Sequence, residues 1–268
     1  MIISDRIPGT VSRGKGVTLG IAQPTHSWLA GQLARQWGNA EFAFVGPEVE
    51  LGTAAELHDI GYSEWECRPA WNPKTGLPFS FMDLPCATRL EVWRKAFHQV
   101  LPLSRYAALF VSKHTTHLTD RHDSASSAEE ERQVAQFREE AFSQQADLIA
   151  QLKKEKRFAH FLMPDQLARQ QDLVAVWDTL SLYLCGAFGD EMQLDAPTGD
   201  QGATAKLKLK LSAKDLVVEV APWPFHTPEI ALHWDAKVFE RAFENQADLD
   251  ANFAQLKTVL LHIVVRPG

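Results

Sequence analysis

Long apolar runs are missing from this 268-residue chain, and no stretch approaches the ~18 apolar residues of a membrane-crossing helix. The opening "MIISDRIPGTVSRGKG" lacks the apolar core of a signal peptide, so a cytoplasmic protein without a membrane partner is expected. Cysteine is scarce. Cys67, Cys86 and Cys185 are odd in number and have no CxxC spacing, which argues against a disulfide framework and against a cysteine zinc site. Basic excess is absent as well. With 27 Lys and Arg against 34 Asp and Glu the net charge is −7, whereas a nucleic-acid binder would usually present a basic face. A small phosphorylated molecule held in a local pocket remains compatible with that charge. Internal repeats and low-complexity tracts are also absent.

What is present describes an ordinary globular protein: 45% hydrophobic and 23% charged residues, enough chain for a sizeable core. Residues 2–22 alternate short β-prone pieces with Gly and Pro turns and read as a small hairpin. "PTHSWLAGQLARQWG" then places His26, Leu29, Ala30, Leu33, Ala34 and Trp37 on one helical face, with Thr25 as N-cap. A second helix opens near Pro47 and runs into "LGTAAELHDIG". Residues 63–88 are rich in aromatics, Pro and Gly but have no regular period, as in a lid or pocket wall. Helical spacing returns at "RLEVWRKAFHQV" and "LSRYAALFVSKHTTHL", in a long helix from near Ser126 or Ser127, and in residues 164–188. From residue 205 onward the pattern turns to strands: "KLKLKLS", "DLVVEVAPW", "EIALHWDAKVF" and "TVLLHIVVR".

Several polar residues sit where apolar ones are expected. His26 begins the apolar face of the first helix, and His58-Asp59 closes the apolar run of the second. Asp178 stands in "LVAVWDTLSLYL" with no Lys or Arg within a helical turn. A buried carboxylate is costly unless it meets a cation. Two imidazoles and two carboxylates, His26, His58, Asp59 and Asp178, make a typical set for a divalent transition metal or Mg²⁺. On "ALFVSKHTTHL", Ala107, Phe110, Val111, His114 and Leu118 keep helical spacing, so His114 extends an apolar face, with His117 three residues on. A helix C-terminus stabilised by His is the plain alternative for that pair.

The order His…His-Asp…Asp resembles the HD-domain superfamily of metal-dependent phosphohydrolases over residues 24–188, with His26, His58, Asp59 and Asp178 at its ligand positions. More narrowly, "HSWLAGQLARQWG", "HDIGYSEWE", "TGLPF", "ALFVSKHTTHL" and "PWPF" look like a bacterial family of unknown function within it. The resemblance implies a mainly α fold: an HD-type helical bundle over residues 1–200, with the short N-terminal hairpin, and a β-rich appendage over 201–268. It implies one divalent cation (Mn, Mg, Co, Ni, Zn or Fe), with a second metal open through His114 and His117. It also implies hydrolysis of a small, nucleotide-like phosphoester. In that scheme Asp59 orients the water, Lys113 and His114 stabilise phosphoryl charge, and Glu64 donates a proton. His117 touches the substrate, and Trp223 and Phe225 stack on it; as plain core residues those two rings need no ligand. The chain departs from the pattern at Tyr62, where related nucleotidases carry Glu, and has no histidine between His58 and His98. An HD-type dinuclear iron oxygenase and a non-catalytic binding protein are the alternatives.

Overall fold

The computed structural model describes residues 1–5, 18–121, 127–199, 202–212 and 215–268. Strands β1 (Ile2–Ser4) and β2 (Thr18–Ile21) precede helices α1 (Gln23–Gln36), α2 (Glu48–Leu57) and α3 (Tyr62–Cys67). A short hairpin, β3 (Trp71–Asn72) and β4 (Leu77–Pro78), leads to α4 (Cys86–Val100), α5 (Arg105–Arg121) and α6 (Ala128–Leu152). Then come α7 (Lys156–Ala159), α8 (Pro164–Leu184), β5 (Glu191–Pro197), β6 (Thr204–Ser212), β7 (Val217–Ala221), β8 (Ile230–Phe239), α9 (Gln246–Asn252) and β9 (Thr258–Pro267).

The expected fold class is overturned. Seven strands form one mixed sheet in the order β1-β2-β8-β9-β7-β6-β5, antiparallel throughout except for the β7–β9 pair. It is not an appendage on a helical bundle. Alternation along β8 turns Ile230, Leu232, Trp234, Ala236 and Val238 inward, where they share one core with Leu29 and Leu33 of α1 and Trp177 of α8. His233 and Asp235 face solvent on the other side. The N-terminal pair β1–β2 is the sheet's outer edge, since β2 pairs with β8; the turn of the expected hairpin, residues 6–17, lies outside the described residues, as does Ser126. Strand β5 pairs with β6 across residue 200. Periodicity shows where a strand is, but not which strand it pairs with.

Helix packing obeys simple constraints. Most faces of α8 are buried, as the largely apolar stretch from Leu173 to Leu184 requires. Helix α1 starts earlier than expected, with Ala22 at the N-cap and Pro24 in the first turn, a position that suits Pro because its missing N–H bonds to nothing there. Residues 63–88 do not form a lid: Trp71 packs with Phe239, Phe243, Leu249 and Phe253 at one end of the sheet. At Gly31 a Cβ would lie 2.5 Å from Glu56 Cβ, so α1 and α2 touch where a side chain has no room. Gly61 is tighter still, with a Cβ placed 1.9 Å from the Val92 carbonyl oxygen of α4. The turn carrying His58-Asp59 is thereby clamped onto α4. Replacing Gly61 with Ala should destabilise the protein by about 3 kcal/mol or more in urea titrations, because backbone must move to admit the methyl; wild-type stability would contradict the clamp.

Candidate metal centre

Four separate segments deliver five polar side chains to one buried spot. His26 comes from the first turns of α1, His58 and Asp59 from the turn after α2, His114 from α5 and Asp178 from α8. His58 caps α2 instead of lying within it, so the two adjacent residues are presented by a turn. The three imidazoles are at most 1% exposed, while Asp59 and Asp178 retain 6% and 8%, so the carboxylates mark the side nearest solvent. The ligand-type atoms of His26, His58 and Asp59 lie within 4.8 Å of one another, and so do those of His58, His114 and Asp178. No other such group occurs among the described residues.

The hydrogen-bond network dictates which nitrogens carry lone pairs. His58 Nδ1–H donates to the Ala55 carbonyl at 2.8 Å, leaving Nε2 bare. That Nε2 is buried without a hydrogen-bond partner, 3.3 Å from Asp178 Oδ1 and 3.7 Å from Asp59 Oδ2. The Ser181 hydroxyl donates to the Asp178 main-chain carbonyl at 2.8 Å and so accepts from His26 Nδ1–H at 2.9 Å. In a neutral ring, His26 Nε2 then aims its lone pair at Asp59 Oδ2, 2.9 Å away. Two acceptors that close require a proton or a cation between them. His114 Nε2 lies 3.6 Å from Asp178 Oδ2. Nitrogen and oxygen ligands about 2.1 Å from a divalent cation stand roughly 3.0–3.4 Å apart when adjacent; the 2.9 and 3.3 Å contacts are near that spacing, and the 3.6 and 3.7 Å contacts are wider. His58 belongs to both groups and has one free nitrogen, so it can serve one ion only.

Electrostatics point the same way. Burial disfavours the charged form of His58, but attraction to Asp59, then the close approach and charge of Asp178, outweigh it and raise its pKa to about 9. Burial likewise opposes ionisation of Asp59 and Asp178, yet the surrounding imidazoles hold both below the usual carboxylate range. Burial pushes His114 down to about 4, so it is neutral. A proton on His58 thus stands, in the metal-free protein, where a divalent cation would bind.

Two supports were not visible in composition. Gln23 Nε2 donates to Asp59 Oδ2 at 3.0 Å, and the Gln23 backbone N–H donates to buried Glu66 at 2.7 Å. Gln23 precedes His26 by three residues and Ser181 follows Asp178 by three, so helical spacing from each ligand was the available signal. Other expected site residues sit elsewhere. Glu64 is exposed and paired with Lys95 at 3.1 Å, away from the cluster. Lys113 and His117 are half-buried on α5 beside His114. Phe225 packs on Trp37 and Trp223 with ring centroids 5.5 and 4.9 Å apart, at the end of α1 opposite His26. The Trp223 indole N–H is satisfied by the Thr227 carbonyl. These rings are wall and core, not a platform over the histidines.

A family model described as "Protein of unknown function (DUF3891)" matches residues 11–241. The chain belongs to the DUF3891 family. Membership of the HD superfamily is thereby corrected: DUF3891 is the family that matches, and its seven-stranded sheet is not the architecture of a helical HD bundle. Neither a curated protein nor a solved structure matches this DUF3891 chain. Among its described residues no helix is long and apolar enough to cross a membrane.

Titration tests the cluster directly. The raised His58 pKa stabilises the metal-free protein fully below pH 6.5, and that stabilisation is lost as pH rises from 6.5 through about 9. Thermal melts in chelator should therefore fall across that window, and His58→Gln should flatten the fall. Divalent cations must displace the same proton, so calorimetry in two buffers near pH 7.5 should record about one proton released per ion bound. Binding without proton release would contradict the assignment.

Proposed function

We propose that the protein is a metal-dependent hydrolase of small phosphoesters, with one divalent cation held by His26, His58, Asp59, His114 and Asp178. The observation that carries the proposal is His58 Nε2, buried without a hydrogen-bond partner and facing two carboxylates. Its Nδ1 anchor leaves that nitrogen to a proton or a cation, and a bound divalent cation takes the proton's place between the two carboxylates. Three imidazoles among five ligands favour a transition metal such as Zn, Fe, Ni, Co or Mn over Mg. When bound, such a cation lowers the pKa of its water to near neutrality and polarises a phosphoryl oxygen.

The remaining work falls to the chain itself. Asp59 is pinned through Oδ2 by Gln23 and His26, and its partial exposure lets it orient water at the site. Lys113 follows the same helix as His114, and burial depresses its ammonium pKa, with the charge of Asp172 opposing the shift. A partly desolvated ammonium on the helix that carries His114 is the candidate contact for phosphoryl oxygens, because charge-assisted hydrogen bonds strengthen away from water. His117, one turn further on, offers a second polar contact. Glu64 and the Trp223–Phe225 pair have no part in this scheme, and with them goes the reason to expect a nucleotide base.

The test is turnover of p-nitrophenyl phosphate and bis-(p-nitrophenyl) phosphate by chelator-treated protein reloaded with Mn, Co, Ni, Zn or Fe. Hydrolysis should depend on the added metal. Lys113→Met should lower kcat about a hundredfold with metal content unchanged, the scale expected for one lost donor to developing charge. Fully loaded protein that hydrolyses neither ester would contradict the hydrolase assignment and leave a binding protein.

A further inference from the structure

A cleft of about 320 Å³ opens between the C-terminal half of α1, the outer face of α2 and the segment after β7. We propose that it is a second binding site, separate from the metal centre, for a planar aromatic small molecule. Trp37, Phe44 and Gly52 line it, with Arg35, Glu48 and His226 among its polar residues.

Gly52 is the telling residue. It lies inside α2, where glycine is destabilising relative to alanine because it gives up more backbone freedom. Gly31 and Gly61 repay that cost by allowing helices to touch, but a Cβ on Gly52 would meet nothing within 4 Å. No packing contact of the protein requires glycine there. What its missing side chain leaves is room in the cleft.

The walls are flat and held in place. Trp37 is buried edge-on against Phe42, Trp177 and Phe225, and Phe44 stacks on Trp177 at 5.5 Å with ring planes 28° apart. Rigid aromatic surfaces over a bare backbone make a slot suited to a ring, and stacking adds to the apolar area buried. Val49, 78% exposed, adds apolar surface at the mouth. The polar lining carries both signs of charge, with Arg35 paired with Glu56 and exposed Glu48 and His226 beside it, so recognition falls to the aromatic walls. Trp37 follows His26 by eleven residues along α1, roughly 16 Å, which places the cleft away from the His/Asp cluster.

The test uses the fluorescent aromatic dye 1-anilinonaphthalene-8-sulfonate, titrated into the full-length protein. Saturable binding at one site per chain is expected, weakened at least about tenfold by Gly52→Leu. Gly52→Ala should raise Tm, since open space receives the methyl, while weakening the dye. Metal content should be unchanged in both variants, so failure here is separable from failure of the metal centre. If Gly52→Leu does not fold, Gly52→Ala decides alone. A lowered Tm for Gly52→Ala would show that the fold itself needs the glycine and overturn the proposal. So would absence of dye binding, or dye affinity that neither variant changes.

Discussion

Two carboxylates, Asp59 and Asp178, are kept almost out of water within reach of three imidazoles, and the helical half of the molecule is arranged around the cost of doing so. Neither acid meets a Lys or Arg in the cluster; what they meet are His nitrogens, two of which have a lone pair assigned by an anchor on the opposite ring atom. Orienting imidazoles through their second nitrogen is how proteins prepare metal ligands. The same anchors aim His58 Nε2 and His26 Nε2 at the carboxylates, the arrangement a bound cation needs.

The backbone serves this arrangement at several points. Gly61 lets the His58-Asp59 turn lie against α4, and Gly31 lets α1 bring His26 against the end of α2. Ser181, one turn after Asp178, accepts from His26 and so ties α8 to α1. Glu66 is buried beside the Met1 amino group and fixes Gln23, which in turn holds Asp59. The sheet closes the core beneath α1 and α8 and contributes no ligand.

Much of the site could be read from residue types in improbable places. Asp178 in an apolar helix, His26 on an apolar face and His58-Asp59 at the end of an apolar run all converge, and His114, expected from its helical spacing, joins them. Glu64 was misplaced because its nearness in sequence to Asp59 says nothing of direction; α3 turns it toward Lys95 and solvent. Trp223 and Phe225 likewise follow Trp37, at the far end of α1. The fold was less legible. Strands β6 to β9 announce themselves by alternation, but their pairing with β2 and β5, and their sharing of one core with the helices, depend on long-range contacts that local periodicity does not encode. The order of four ligand residues, being compatible with more than one architecture, pointed to a bundle that the sheet replaces.

The most direct test of the central claim is metal content per chain, measured by elemental analysis on untagged protein purified without chelator, beside the Asp178→Ala variant. The account predicts close to one transition-metal ion per wild-type chain and almost none in the variant, with the variant's helical circular dichroism retained. No metal in the wild type after reloading, or full occupancy in Asp178→Ala, would contradict it.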